Sequence, residues 1–208
     1  VIISSSYFHN FTKFPETKGL FTCEMIDGIE YWWVRMPKYS QSRSLGRLGS
    51  LFLFPLLLLL FPFWRLAKPD TIIVSGPPHV PILNAWIWSR WLGATLVYEV
   101  RDIWPMTIQK LGGISKWHPV IVLLSMFERL AYLAADRVVS VLALAHRHFE
   151  SRGMVPAKFA YIPNGVDTSQ TDLVEGKVST QLAELATTKK IVIYTGSFGI
   201  ANNLDQLL

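Results

Sequence analysis

The stretch LVYEVRDIWP, residues 96–105, is a short apolar run with two valines that stops at a charged pair. Its length and β-branched content predict a buried strand, and the Trp-Pro that follows cannot continue a sheet. An acid, Asp102, is thereby left at a strand's exit beside Arg101. In open α/β proteins ligands bind in the crevice beyond the carboxyl ends of the strands, so a charged pair there is a candidate for chemistry. On position alone the two residues read first as a neighbouring ion pair or turn formers.

Working outward, residues 70–75 (DTIIVS) predict a strand running into the Gly76-Pro77-Pro78 turn, which exposes backbone at the strand's end. Residues 82–92 carry a helical pattern that Gly93 stops, and the next strand covers 94–100. A long apolar helix over 117–135, a strand over 137–141, a helix over 142–152 stopped by Gly153 and a short strand over 159–162 complete the series. Trp86, Trp88 and Trp91 lie along the first helix and read as core and flank packing. Alternation of this kind predicts the α/β class, a Rossmann-like parallel sheet with helices on both faces.

Toward the amino end, residues 1–5 predict a strand and residues 21–35 a hairpin turning on Asp27-Gly28. Toward the carboxyl end, Pro163-Asn164-Gly165 breaks the pattern, and the segment to Lys190 is polar. A new strand over 191–194 then closes on Thr195-Gly196-Ser197-Phe198-Gly199, as if a second Rossmann-like domain begins. A Gly-rich turn between a strand and a helix can hold phosphate on its backbone N–H groups. The organisation expected is a first domain over 1–162, a linker over 163–190 and the truncated start of a second domain over 191–208.

Half of the 208 residues are hydrophobic and only 17% are charged, which excludes a disordered chain. The lone Cys23 excludes a disulfide framework within the chain and fits a reducing compartment. Arg35, Lys38, Arg43, Arg47, Arg65 and Lys68 fall between Tyr31 and Pro69 with no acid among them. Such a cluster suits nucleic acid or an anionic membrane surface. No RNA-binding, zinc-finger or helix-turn-helix pattern accompanies it, whereas a very apolar run, residues 51–63, sits inside it, so the membrane surface is the expected partner and nucleic acid is not. That run is shorter than the roughly 20 residues of a spanning helix and holds Pro55 and Pro62. Three readings follow in order: an interfacial or partly exposed apolar helix, a buried core helix, and a spanning helix.

No signal peptide opens the chain, and both ends look cut from a longer protein. His146 and His148 are two residues apart on a helical pattern and so point apart, with His9, His79 and His118 far off in sequence, so no metal site is expected. Gly196-Ser197-Phe198-Gly199 lacks the spacing of a hydrolase nucleophile elbow.

VYEVRDIWP at 97–105, ADRVVSV at 135–141, YIPNGVD at 161–167 and IYTGSFGIANNLDQLL at 193–208, taken in this order, resemble the family 4 glycosyltransferases. The nearest likeness is to the bacterial branch that builds O-antigen and capsule sugars, of the fucosamine-transferase type. The resemblance implies the two-domain GT-B fold, an acceptor domain facing a nucleotide-sugar domain. It also implies transfer with retention of anomeric configuration, without a cofactor or bound metal, from a nucleotide-sugar for which the branch suggests uridine diphosphate. The chain would hold most of the acceptor domain without its first strand, and a fragment of this kind is expected to be inactive alone. Carried onto this sequence, the resemblance makes Asp102 and Arg101 the catalytic candidates and Ser75, Gly76 and Pro77 the acceptor crevice. Gly196, Ser197 and Gly199 become the donor-phosphate loop, and Asn164, Gly165 and Asp167 the linker. Arg101 stands where many relatives carry histidine, and Ser197 and Asn202 where many carry arginine and lysine. The acceptor is expected to be a lipid-linked glycan precursor on the cytoplasmic face of the plasma membrane. The competing class is a non-catalytic membrane-docking or scaffolding protein that keeps the fold.

Overall fold

Two of the seven strands are built around the turn that the sequence marks most clearly. In the computed structural model, which describes residues 1–8, 13–39, 45–168, 180–196 and 204, β2 (Phe21–Ile26) and β3 (Ile29–Val34) pair antiparallel with Ile26 opposite Ile29. Asp27 and Gly28 between them both have positive φ, 50° and 77°, the requirement of a tight hairpin turn whose twist matches that of its strands. β1 (Ile2–Ser5) joins the other edge of β3 in parallel, giving the order β1-β3-β2. On this central strand Trp32, Trp33 and Val34 are all buried: Trp32 meets Phe61 edge-on at 5.3 Å, Trp33 stacks on Tyr31 at 5.4 Å, and Val34 packs with Met36 and Leu58.

The apolar run expected at 51–63 divides into a helix and a turn. Helix α1 (Leu45–Leu58) carries Pro55 in its interior, and a single 3-10 turn covers Phe63–Arg65. Proline offers no N–H to the helix ladder, and just beyond it the ladder tightens: Leu59 N–H donates to the Leu56 carbonyl at 3.2 Å. The Pro55 carbonyl is instead met by the side-chain amide of Asn84, buried at 2.9 Å. Leu58 and Phe61 are buried, with Leu58 packed beside Val34 and Met36, while Leu56, Leu59, Leu60 and Trp64 are exposed to 60, 60, 64 and 80%. The first two readings of this run are therefore each half realised: one side is core, the tip is bare. No helix among the described residues is long and apolar enough to cross a membrane.

The second sheet is wholly parallel, in the order β4-β5-β6-β7. β4 (Thr71–Gly76), β5 (Thr95–Val100), β6 (Arg137–Ser140) and β7 (Phe159–Tyr161) are added in sequence, each beside the last. The connecting helices are α2 (Ile82–Leu92), α3 (Met106–Gly112), α4 (Pro119–Ala134) and α5 (His146–Ser151). Gly93 and Gly113 end α2 and α3 with φ of 69° and 64°, a left-handed cap that a residue with a Cβ rarely adopts. Val74, Leu96, Tyr98, Val100 and Val138 form one side of the core, and Ile82 and Ala85 from α2 with Ala131 and Tyr132 from α4 close it. This is the parallel, helix-flanked α/β sheet that the sequence predicts. Asp136, immediately before β6, ties it to β5: its carboxylate accepts from Leu96 N–H at 2.8 Å, and its own N–H donates to the Leu96 carbonyl at 2.8 Å. Strand registers can slip by a residue, and these two bonds pin this one.

The chain divides into two compact units, Val1–Pro163 and Asn164–Leu208. The second holds α6 (Thr180–Thr188), but the strand expected at 191–194 is not formed. A four-residue β-branched run becomes a strand only with a neighbouring ladder; residues 191–194 have none among the described residues and are exposed, Val192 to 87%.

Candidate functional site

β4 and β5 run side by side and end together, Gly76 opposite Val100. One further bond, Arg101 N–H to the Gly76 carbonyl at 3.3 Å, carries the pairing past the end of β5. The chain from β4 then turns through Pro77 and Pro78 to His79, which is fully buried. Its Nδ1 meets the Tyr98 hydroxyl and its Nε2 lies 2.7 Å from the Trp104 carbonyl oxygen. A carbonyl can only accept, so Nε2 carries the hydrogen; Nδ1 is then the acceptor for the Tyr98 O–H in the neutral ring. Burial drives the His79 pKa below its ordinary value, against the Trp104 hydrogen bond and the charges of Glu128 and Asp102, while His148 adds to the lowering. Burial likewise raises Tyr98 well above the ordinary tyrosine range, with Glu128 adding to it. Neutral His79 thus clamps three segments: the turn after β4, strand β5 and the loop after β5.

Glycine at position 76 is a condition of that clamp. A Cβ there would stand 3.0 Å from the Tyr98 hydroxyl oxygen and 3.3 Å from Tyr98 Cε2. Contacts that close force the neighbour to move, and here the neighbour is a buried, hydrogen-bonded pair.

The loop so held carries Asp102. Its Oδ2 accepts from Trp104 Nε1 at 3.1 Å and its Oδ1 from Thr107 Oγ1 at 2.8 Å, and the Arg47 guanidinium lies 5.9 Å from the centre of the Trp104 ring. Each carboxylate oxygen has a further lone pair, so the fixed, half-buried group can still accept a hydroxyl hydrogen or face developing positive charge. Arg101 is exposed and makes no salt bridge with Asp102. The plain ion-pair reading of these two residues is not what the fold uses; the turn-forming reading is used in part, since Asp102 also ties down its own loop. The exit of β6 is joined to the same edge by buried Ser140, whose hydroxyl donates to the Val100 carbonyl at 2.8 Å.

A buried polar chain lies beneath. Tyr132 packs tilted against Tyr98 with ring centres 5.9 Å apart and donates to Glu128 Oε1 at 3.3 Å. Glu128, almost wholly buried, also receives His148 Nε2 at 2.6 Å and Arg152 Nε at 3.0 Å. Burial raises the Tyr132 hydroxyl far above the ordinary tyrosine value, with the Glu128 charge as the next cause. Sequence reasoning missed His79, Tyr98 and Glu128. The available signals were a histidine directly after a Gly-Pro-Pro strand exit and the only acid in the apolar helix PVIVLLSMFERLAYLA.

Of the other expected residues, Gly76 ends β4 beside the β5 exit that leads to Arg101 and Asp102, and Pro77 follows it in the turn, whereas Ser75 alternates onto the opposite face of β4 and is exposed. Asn164, Gly165 and Asp167 are exposed and belong to the second unit, as does exposed Gly196; Ser197 and Gly199 lie outside the described residues. Among the described residues no group of three or more His, Cys, Asp or Glu side chains could hold a metal ion. No curated protein matches the chain. A family model described as "Glycosyl transferase 4-like domain" matches residues 14–165, spanning the crevice and every residue of the buried polar chain.

Proposed function

The chain belongs to the glycosyl transferase 4-like family, and from that premise of glycosyl transfer between a sugar donor and an acceptor we propose that Val1–Pro163 is the acceptor side of a retaining enzyme. The donor is a nucleotide-sugar, with a uridine diphosphate sugar as the first to try, and the acceptor a lipid-linked glycan precursor of the O-antigen or capsule type. The observation that carries this reading is Asp102, held at a parallel-strand exit by Trp104 and Thr107 with lone pairs to spare. The acceptor oxygen bonds to the anomeric carbon as that carbon's bond to the diphosphate oxygen breaks, and the nucleoside diphosphate leaves with the electron pair. Asp102 orients the acceptor hydroxyl, whose proton passes to the departing diphosphate oxygen, and its charge faces an oxocarbenium-like sugar. Arg101 and the Gly76-Pro77 turn line the acceptor's side. Gly196, Ser197 and Gly199 hold the donor phosphates, and Asn164, Gly165 and Asp167 link the two functions. In the full-length protein, Asp102→Asn should lower sugar transfer by about 10²–10⁴-fold with Thr107 and Trp104 still in place. Transfer within twofold of the parent refutes the assignment.

The bare tip of α1 and the turn after it supports an acceptor that is reached at a membrane. Leu56, Leu59, Leu60 and Trp64 are exposed, followed in sequence by Arg65 and Lys68, an apolar edge with a basic flank suited to the anionic inner face of the plasma membrane. Vesicles containing anionic lipid should sediment the protein, less so as salt rises. Burying one leucine contributes about 1.5–3 kcal/mol, so Leu60→Glu should weaken binding by on the order of 10-fold or more. Binding indifferent to anionic lipid, to salt and to that substitution removes the docking role.

A further inference from the structure

The first sheet has a strand exit of its own. β1 and β3 are parallel and end in register, Ser5 opposite Val34, with Ser6 N–H donating to the Val34 carbonyl at 2.9 Å. Just beyond them opens a cavity of about 610 Å³, within the size range of small-ligand sites. Ser6, Tyr7 and Phe14 come to it from the β1 side, and Arg35 and Lys38 from the β3 side.

The chemistry of the lining is one-sided. Among the described residues, two cations and no acid line the cavity. The Arg35 guanidinium makes no salt bridge among the described residues, although its backbone N–H is fixed to the Leu20 carbonyl at 2.8 Å. Lys38 Nζ sits 5.5 Å from the centre of the Phe14 ring, which leaves a three-donor ammonium at the wall. Phe14 is stacked on Tyr7 at 5.1 Å, and the Tyr7 hydroxyl donates to the Tyr39 carbonyl at 2.6 Å, so the aromatic wall is fixed. Ser6 is 93% buried by its 7% exposure; its Oγ accepts from Met36 N–H at 3.1 Å, and no described residue accepts its own O–H.

We propose that this cavity is a phosphoryl-binding site for a sugar-sized ligand, a glycosyl phosphate or pyrophosphate. Arg35 presents a planar fork to two phosphoryl oxygens, Lys38 supplies a second charge, and the Ser6 hydroxyl donates from the floor. On the acceptor-side reading above, on which the identity of the ligand rests, the phosphate is the one joining the acceptor sugar to its lipid.

The test is calorimetric titration of the full-length protein with a hexose 1-phosphate, beside inorganic phosphate, the uncharged methyl hexoside and anionic vesicles. The hexose phosphate should bind, the methyl hexoside should not, and inorganic phosphate should bind at least several-fold more weakly. Arg35→Ala should raise Kd by about 10-fold or more, as for loss of a charge-assisted pair, with Lys38→Ala and Ser6→Ala weakening binding by less. Absence of binding, an Arg35→Ala Kd equal to the parent's, inorganic phosphate binding as tightly as the sugar phosphate, or an Arg35 effect seen only with vesicles each overturns the proposal. If Arg35-dependent binding is found while Asp102→Asn still transfers sugar at the parent rate, this site stands and the acceptor-side reading falls. If Asp102→Asn abolishes transfer while Arg35→Ala binds the sugar phosphate like the parent, the reverse holds.

Discussion

Removing the imidazole of His79 is the sharpest test of how the Asp102 loop is held. His79→Ala leaves the buried Tyr98 hydroxyl without its acceptor and the half-buried Trp104 carbonyl without its donor. A buried polar group stranded in this way costs about 1–3 kcal/mol. The Trp104 carbonyl can be rehydrated and contributes less, so the sum is about 2–4 kcal/mol, or a fall in Tm of roughly 5–15 °C for a chain of this size. Tyr98→Phe strands only the imidazole Nδ1 and should cost about half as much. The pH dependence separates a clamp from mere packing. His79 is held neutral in the fold, below the 6.5 at which the unfolded chain titrates. Below 6.5 the unfolded state therefore binds a proton that the fold refuses, and stability falls with pH by up to about 1.4 kcal/mol per unit until the folded pKa is reached. Above 6.5 both states are neutral and the term is flat. Glu128 and Asp102 oppose this lowering and His148 assists it, so the comparison is made between the parent and His79→Gln, which leaves all three in place. Urea unfolding followed by near-ultraviolet circular dichroism, from about pH 7.5 to about pH 5, should give a shallower acid-side slope in the variant. Identical slopes would refute the clamp.

Two further substitutions probe the frame around the site. Glu128→Gln breaks a nearly buried carboxylate away from Arg152 and His148; because Arg152 reaches water, the expected cost is about 2–4 kcal/mol, short of that for a fully enclosed pair, read as a drop in urea midpoint with unchanged slope. A midpoint within error of the parent would mean that the pairing contributes nothing net. Asp136→Ala strips the Leu96 N–H of its acceptor, so hydrogen exchange at Leu96 should quicken by on the order of 10-fold, and an unaltered rate would show that the register of β5 and β6 is set elsewhere.

What the sequence reveals is what local chemistry controls. The Asp27-Gly28 hairpin, the stop at Gly93 and the end of β5 at Val100 each follow from a few adjacent residues and are where they are expected, while β4 runs one residue past the expected Ser75 to Gly76. Helix α3 was not foreseen, because Met106–Gly112 is only seven residues long and sits between a Trp-Pro and a Gly-Gly that both read as loop. The helix expected over 142–152 is confined to His146–Ser151, since Ser140 draws the Leu142 N–H to its own hydroxyl at 3.1 Å. Trp86, Trp88 and Trp91, expected as core and flank, divide: Trp88 packs beside Leu58 and Val34, while Trp91 is exposed. At the site, Asp102 and Gly76 were legible from position, but the partners of His79 lie 19 and 25 residues away. Those of Glu128, His148 on α5 and Arg152 just after it, lie 20 and 24 residues away. Pairings of that range are settled by packing, which no short pattern encodes.

The bond from Asn84 to the Pro55 carbonyl bears on the kinetics of surface attachment. The direction of the chain leaving α1 is set by an amide from α2 and was fixed when the protein folded, so the exposed leucines beyond it have little backbone freedom left to lose. On the docking role proposed above, a tip of this kind would attach as a preformed wedge, limited by encounter, whereas a segment that folds on contact waits on its own ordering. Without the Asn84 amide the same leucines would still be apolar, but arrival and ordering would become separate steps.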